Sequence, residues 1–410
     1  MTPVDLLFEN ASEVFTATTA GPLTEVVVAV HDGMVVYVGP PEGLAATGHQ
    51  VGPQTHRVDV QGRLLTPGLI DPHTHLVFAG DRAHEFALRA AGVSYLQIAA
   101  EGGGIAATMR ATRAATVDEL VAGARPRLDR LLACGVTTAE VKSGYGLSTD
   151  AELRCLRAVR RLDATHPIDL VATFLGAHTV PPDRRADRKG YLAEVIDEML
   201  PAVAAEGLAE FCDVFVEEGA FGLGEAERVL RAGLAHGLRP KVHADQLGPG
   251  GGAELAARLG AVSADHLEHI SDFGIKQLAD HGTVGVLLPG AALFLGSDER
   301  APARRLIDHG VHVALATDCN PGTCMTENLP LMLTLGMSRL AMTAREVLEA
   351  VTVHAARAIG RAHVAGTIEI GRPADLAIFS VPDHEHLPYH LATPTTWRVY
   401  KKGVQVYAAS

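Results

Sequence analysis

The sequence has few cysteines, and they form no closely spaced pair. Its 410 residues include five cysteines, an odd number scattered along the chain without a Cys-x-x-Cys spacing. This pattern gives no indication of a disulfide framework. We interpret all five as free thiols of a reducing compartment and expect a cytoplasmic protein. They are Cys134, Cys155, Cys212, Cys319 and Cys324.

Long apolar runs and a basic leader are also absent. The longest candidate run, residues 283–296, is interrupted by Pro289 and Gly290, whereas a membrane span needs roughly 18 apolar residues. The first residues lack the basic segment and apolar core of a signal peptide. We therefore expect neither a membrane span nor a cleaved leader.

Positive charge is in deficit. The chain has 35 Lys and Arg residues and 48 Asp and Glu residues, which gives a net charge of −13. Without a basic stripe, nucleic acid is not an expected partner. A small anionic substrate stays compatible, because one arginine can hold a carboxylate. The glycine clusters at 101–104 and 248–252 match no phosphate-binding pattern, and we interpret them as loops around a site.

What the sequence does contain is a large apolar content, 47%, with 20% charged residues, which indicates a folded protein with a substantial core. β-Branched runs occur at both ends, and two of the turns between them have hairpin character. We expect a small β-sandwich domain formed from both chain termini, residues 1–66 and 366–410.

Between these ends, residues 67–365 alternate short apolar strands with helical stretches, which indicates βα units and a parallel sheet. Eight strand candidates favour an α/β fold of the (β/α)8 TIM-type barrel class over a doubly wound sheet. The candidates are residues 68–73, 136–142, 169–178, 213–218, 240–245, 263–268, 283–289 and 312–318.

Polar residues gather at the C-terminal ends of these strands, where barrel enzymes build their active sites. His73 and His75 end the first strand two residues apart, so that both side chains point to one face. His243 ends the fifth strand, and Asp318 ends the last one after an apolar run. A buried carboxylate needs a partner. Three imidazoles and one carboxylate suit a catalytic zinc or iron with a further position for water.

These residues resemble the amidohydrolase superfamily, and further motifs resemble one of its families, the imidazolonepropionases of histidine degradation. The resemblance covers nearly the whole chain. The motifs are Gly80-Asp81-Arg82, Gly102-Gly103-Gly104-Ile105, Lys142-Ser143-Gly144-Tyr145-Gly146, Phe174-Leu175-Gly176-Ala177-His178, His243-Ala244-Asp245-Gln246, Ser263-Ala264-Asp265-His266 and Thr317-Asp318-Cys319-Asn320-Pro321-Gly322.

The resemblance implies a hydrolase of cyclic amides that binds one divalent metal, zinc or iron, through His73, His75, His243 and Asp318. A metal-bound hydroxide would attack 4-imidazolone-5-propanoate and give N-formimino-L-glutamate. His266 would polarise the carbonyl group or stabilise the oxyanion, with a fifth metal ligand as the alternative. The resemblance also implies a homodimer.

The resemblance further implies a pocket for a substrate with a carboxylate tail. Arg82 would hold the propionate, because a guanidinium matches a carboxylate bidentately. Tyr95, Tyr145 and His178 would line the pocket. Asn320 would contact the substrate carboxylate or backbone.

Gln246 departs from related deaminases, which carry a proton-shuttling glutamate at this position. Glutamine takes up no proton in this pH range, so we expect it to hydrogen-bond a ring nitrogen. Proton transfer then falls to Asp318, His266 or the metal-bound water.

Three rival functions fit less well. A cytosine- or adenine-type deaminase expects glutamate at position 246, and a dihydropyrimidinase-like enzyme expects a bridging lysine on strand four, where residues 216–218 are Val-Glu-Glu. Lys142 ends the second strand instead, which favours a single metal ion. A non-catalytic metal-binding barrel would be expected to have lost a ligand, and this sequence keeps them all.

Overall fold

The computed structural model describes residues 1–93, 97–98 and 101–409. Before residue 68 the chain forms short strands and one 3-10 helix, Pro41–Thr47. The strands are β1 Thr2–Pro3, β2 Leu6–Glu9, β3 Glu13–Phe15, β4 Pro22–Leu23, β5 Val27–His31, β6 Met34–Gly39, β7 His49–Gln50, β8 His56–Asp59 and β9 Leu64–Pro67.

Eight parallel strands follow, and each pairs with the next one in the chain. This order, with helices between successive strands, is the TIM-type (β/α)8 architecture that the sequence predicts. The strands are β10 Leu69–Asp71, β11 Val136–Lys142, β12 Asp169–Ala177, β13 Phe211–Val216, β14 Arg239–Ala244, β15 Ser263–His266, β16 Val284–Leu287 and β17 Val313–Leu315.

Helices cover the outside of the barrel. Among the described helices, none combines the length and the apolar character needed to cross a membrane. They are α1 Ala83–Ala90, α2 Ile105–Ala114, α3 Val117–Ala133, α4 Thr149–Asp163, α5 Arg188–Glu194, α6 Leu200–Glu206, α7 Leu223–Ala235, α8 Gly252–Arg258, α9 Asp272–His281, α10 Pro289–Leu295, α11 Ala303–Asp308, α12 Leu329–Leu340, α13 Ala344–Ala350, α14 Val353–Ala358 and α15 His386–Tyr389, with a 3-10 helix Pro182–Asp187 and a π-helical turn Val195–Met199.

The chain ends return to the terminal β region through β18 Leu376–Phe379, β19 Thr396–Lys401 and β20 Val404–Ala408. Together with N-terminal strands they form a six-stranded sheet of order β20-β19-β18-β9-β3-β4, and a second sheet has the order β6-β5-β2-β8. Side chains from both sheets share one apolar cluster. The prediction of a small β domain built from both termini is confirmed, while its division at 66/67 and 365/366 stays a prediction.

The junction between the terminal sheet and the barrel requires Gly68. Its amide donates to the Asp375 carbonyl at 2.8 Å, and a Cβ at this position would lie 2.2 Å from Thr137 Oγ1 on β11. Any larger side chain would therefore push β10 away from β11. The glycine lets the chain turn directly into the first barrel strand.

The first and last barrel strands meet beyond their C-terminal ends. The Asp318 amide donates to the His73 carbonyl at 3.1 Å, and the His75 amide donates to the Cys319 carbonyl at 3.0 Å. The Asp71 carboxylate accepts from the amide of Thr317 at 3.1 Å and from its hydroxyl at 2.6 Å. These bonds bring two predicted site segments together at the seam of the barrel.

A layer of charged side chains lies inside the barrel beneath these strand ends. Lys142 Nζ lies 2.7 Å from Asp213 Oδ2, 3.1 Å from Asp265 Oδ2 and 3.2 Å from Glu140 Oε2. Lys241 Nζ lies 2.9 Å from Glu140 Oε2. All five side chains are fully buried. Because an unpaired buried charge is costly, each of these ions depends on the others.

We expect Lys142→Met to lower the free energy of unfolding by about 3–5 kcal/mol, because it leaves Asp213 and Asp265 buried without their shared cation. Denaturant unfolding followed by circular dichroism measures the change. Arg57→Met removes an exposed ion pair with Glu9 and should leave the midpoint unchanged. A Lys142→Met midpoint equal to that of the wild type would contradict the prediction.

Candidate active site

Three of the predicted metal ligands converge at the C-terminal face of the barrel. His73, His75 and His243 are buried, and one ring nitrogen from each lies within 4.8 Å of those of the others. The first two follow β10, and the third lies within β14. Imidazole nitrogens at this mutual spacing can share one metal ion.

Asp318 completes this cluster across the barrel seam. Its Oδ1 lies 3.6 Å from His73 Nε2 and 3.7 Å from His75 Nε2. Burial raises the pKa of Asp318 to about 7. Its backbone φ of 52° is left-handed, a strained conformation for a residue other than glycine, and such strain is common at functional sites.

Carboxylates support two of the rings from behind. His73 Nδ1 lies 2.6 Å from Asp265 Oδ2, and His243 Nδ1 lies 2.9 Å from Asp213 Oδ2. Such carboxylate–histidine contacts orient metal-binding rings and raise their basicity. Within the described residues, Nε2 of both rings is buried without a hydrogen-bond partner. These nitrogens therefore fit a metal ion.

The protonation states also fit a metal. Burial lowers the pKa of His73 and of His75 well below 6.5, so that both rings are neutral and can offer a lone pair. His73 also lies near Glu140 and Asp265. Those two carboxylates already form ion pairs with the buried lysines. The three histidines and Asp318 are therefore the better candidates for metal ligands.

His266 lies beside the three histidines. Its ring centroid is 5.6 Å from that of His73 and 5.3 Å from that of His243. Burial lowers its pKa well below 6.5. The backbone is left-handed at His266, with a φ of 81°, and at Leu267, with a φ of 73°. The His266 ring therefore projects from a strained turn.

Gln246 follows the fifth strand and is half-buried. The neighbouring Asp245 is engaged by the backbone, since its Oδ1 accepts from Gly250 and Gly251 at 2.8 Å and its Oδ2 accepts from Ala253 at 3.0 Å. Asp245 thus shapes the loop that leaves the strand.

Two predicted substrate residues pack against the cluster. The His178 ring stacks on His75 with centroids 5.3 Å apart, and the Tyr145 ring lies 5.8 Å from His75. His178 Nδ1 donates to the Gly144 carbonyl at 2.9 Å. Burial lowers the pKa of His178 to about 4, so the ring is neutral and its Nε2 can accept a hydrogen bond.

Glu152 fixes the loop that carries Tyr145, a role that the sequence motifs do not predict. Its buried carboxylate accepts from the amides of Gly144 at 3.0 Å, Gly146 at 2.7 Å and Leu147 at 2.8 Å. The sequence places Glu152 on a helix after the Gly144-Tyr145-Gly146 motif. Its spacing alone does not reveal that the side chain turns back to the loop.

Arg82 lines a cavity of about 250 Å³ together with Phe78, Phe86 and Phe294. Its Nε donates to Glu85 Oε2 at 2.8 Å, and no described residue accepts a hydrogen bond from its outer guanidinium nitrogens, which can bind a further anion. A Cβ on Gly322 would lie 2.2 Å from Arg82 Nη1. The glycine therefore makes room for the guanidinium beside the loop after Asp318.

Asn320 is hydrogen-bonded within the loop that follows the last barrel strand. Its Oδ1 accepts from the amides of Gly322 and Thr323 at 2.8 Å, and its Nδ2 donates to the Asp318 carbonyl at 2.7 Å and to Thr323 Oγ1 at 2.7 Å. Because its donors and its acceptor are engaged within the loop, Asn320 holds Asp318 in place. Direct contact with a substrate stays a prediction, and Tyr95 lies outside the described residues.

Sequence comparisons identify close relatives. The chain is 50% identical over 377 residues to the imidazolonepropionase of Geobacillus thermodenitrificans, covering 92% of this chain and 88% of the relative. It is 50% identical over 413 residues to that of Myxococcus xanthus, covering 98% and 97% of the two chains. The relative from Symbiobacterium thermophilum is 48% identical over 415 residues, with the same two coverages.

Solved structures share the fold at low sequence identity. An adenosine deaminase from Xanthomonas campestris with bound zinc has a TM-score of 0.72 at 19% identity, over 99% of this chain and 94% of that chain. A Xaa-Pro dipeptidase with bound methionine has a TM-score of 0.70 at 15% identity, over 98% and 100%.

The amidohydrolase family model matches residues 64–407, which include the whole barrel. Family membership and the donor set around His73 together support a divalent metal at this cluster. The chain therefore belongs to the amidohydrolase family and, within it, to the imidazolonepropionases.

Proposed function

We propose that this chain catalyses the metal-dependent hydrolysis of 4-imidazolone-5-propanoate to N-formimino-L-glutamate, a step of histidine degradation. The observation that carries the proposal is the convergence of His73, His75, His243 and Asp318 in one buried cluster, in a chain of this family. The reaction breaks the C–N bond of a cyclic amide in a small-molecule substrate.

These four residues would hold one ion, zinc or iron, because imidazole and carboxylate ligands suit both metals. When bound, the ion supplies Lewis acidity, which makes hydroxide available from water near neutral pH. Asp265 and Asp213 contact the Nδ1 atoms of His73 and His243 and so direct the opposite nitrogens of these rings towards the centre.

The residues around the centre would act on the amide itself. His266 is neutral and can donate a hydrogen bond to the carbonyl oxygen, where negative charge develops. We assign proton transfer to Asp318, because its carboxylate lies at the centre, 3.6 Å from His73 and 3.7 Å from His75. Gln246 would hydrogen-bond a ring nitrogen of the substrate without taking up a proton.

The pocket residues would recognise the propionate tail and the ring. Arg82 has outer guanidinium nitrogens beside the cavity and would bind the carboxylate. His178 and Tyr145 pack against His75 and would contact the ring, with Tyr95 as a further pocket residue. A homodimer stays a prediction.

The first test is hydrolysis of the substrate by purified protein. Metal-replete protein should turn over imidazolone propionate, with loss of the ultraviolet absorption of the ring as it opens. A chelator should abolish turnover, and separate addition of zinc and ferrous iron should identify the ion that restores it. Absence of turnover in protein with one bound metal per chain would contradict the proposal.

Arg82→Ala should raise KM by roughly 10- to 100-fold with little change in kcat, since hydrogen bonds to a charged group contribute about 1.5–3 kcal/mol. Steady-state kinetics measure both constants. With the same ring bearing an uncharged tail, wild type and variant should become equal. An unchanged KM for the carboxylate substrate would remove Arg82 from the site.

His243→Ala should lose metal and activity together, because it removes one of three imidazole ligands. Metal analysis of the purified variant, alongside its thermal unfolding, measures the effect. His269→Ala is the matched control, since His269 also lies at the barrel face but outside the cluster, and it should keep its metal. Full metal content in His243→Ala would contradict the ligand assignment.

A further inference from the structure

Two buried polar atoms without partners face each other beside the metal cluster. Glu268 lies two residues beyond the end of β15, and its side chain is 8% exposed. Its Oε2 lies 4.0 Å from Nδ1 of His266. Within the described residues neither atom has a hydrogen-bond partner. Because leaving such groups unpaired is costly, they are expected to serve each other.

The other buried carboxylates near the cluster are already engaged. Asp265 contacts His73, Ser263 and Lys142, and Asp213 contacts Lys142. Asp245 accepts from several backbone amides. Among the described carboxylates around the site, Glu268 thus keeps a free oxygen for His266.

Resting on the proposed function, we propose that Glu268 is a positioning residue that sets the tautomer of His266. Its carboxyl group hydrogen-bonds to Nδ1 of the ring and keeps the ring proton on Nε2, on the opposite edge. From Nε2, His266 donates a hydrogen bond to the carbonyl oxygen of the substrate.

The electrostatics agree with this arrangement. Burial raises the pKa of Glu268 to about 8, so its carboxyl group carries a proton at neutral pH and can donate it in a hydrogen bond. A neutral imidazole that accepts at Nδ1 must hold its proton on Nε2.

The present separation can close by side-chain rotation. At 4.0 Å the two atoms are beyond hydrogen-bond distance, but the terminal torsion of glutamate is soft.

Two variants of similar size, Glu268→Gln and Glu268→Met, separate the effect of the hydrogen bond from the effect of packing. The amide of glutamine can donate to Nδ1, whereas methionine cannot. We expect kcat to fall about 100-fold in Glu268→Met, comparable to losing an oxyanion donor, with KM and metal content unchanged. Glu268→Gln should retain kcat within about tenfold of wild type. Equal losses in the two variants, or no loss in Glu268→Met, would overturn the proposal.

Glu254→Met is the matched control, because Glu254 also has a buried unpartnered Oε2 but lies on α8 with its other oxygen bound to Ser271. It should leave kcat unchanged. The double variant His266→Ala/Glu268→Met should be no slower than His266→Ala alone, since Glu268 acts through that ring. Multiplied losses would show an independent role and overturn the proposal.

The tautomer of His266 can also be measured directly, without an activity assay. Nitrogen-15 NMR of histidine-labelled protein, with His266→Ala to assign the signal, should show Nε2 protonated and Nδ1 as an acceptor in the wild type. A proton on Nδ1 would overturn the proposal even in an active enzyme. Conversely, an inactive wild type with the expected tautomer would refute the proposed function alone.

Discussion

One buried ammonium group determines how two of the metal-cluster histidines are held. Lys142 lies 2.7 Å from Asp213 Oδ2 and 3.1 Å from Asp265 Oδ2, and the same two oxygens contact the Nδ1 atoms of His243 and His73. Burial alone would lower the pKa of Lys142, but the three surrounding carboxylates outweigh it and raise the pKa. The lysine therefore stays charged, and it ties both rings to one point beneath the site.

The barrel seam supplies the second constraint. Because the chain closes through bonds between the segments at His73–His75 and Thr317–Cys319, the aspartate that ends the last strand is placed against the histidines that end the first. Three residues at strand ends, Asp245, His266 and Asp318, adopt left-handed conformations. The surrounding hydrogen bonds hold this strain in place.

Much of this architecture follows from local patterns in the sequence. Eight apolar strands with polar ends were enough to predict the barrel and the face on which the ligand candidates His73, His75, His243 and Asp318 lie. The supporting contacts could not be predicted in this way. Lys142 and Asp213 are 71 residues apart, and only the register of β11, β12 and β13 brings them together.

Short-range contacts were missed for a different reason. Glu152, Asn320 and Glu268 all stand close in sequence to residues that the motifs single out. A motif identifies which side chain has a polar group but not which way that group turns. The loop bonds of Asn320 and the backbone contacts of Glu152 depend on turns that the spacing leaves open.

The group that contacts Nδ1 of each histidine determines whether the Nε2 atom of that ring offers a lone pair or a proton. One ionised aspartate beside Lys142 accepts from Nδ1 of His73 at 2.6 Å, and a second lies 2.9 Å from Nδ1 of His243, so that the Nε2 atom of each ring is left to offer a lone pair. The Gly144 carbonyl does the same for His178, whose Nε2 can then accept from a substrate N–H.

Among the described residues no lysine forms an ion pair with Glu268, and burial raises its pKa to about 8. It can therefore donate to Nδ1, which leaves the His266 proton on Nε2 for an oxygen. The buried lysine thus marks a difference among these histidines: its ion pairs include the carboxylates beside His73 and His243, two of the predicted metal ligands, whereas the carboxyl group beside His266 lies outside those ion pairs.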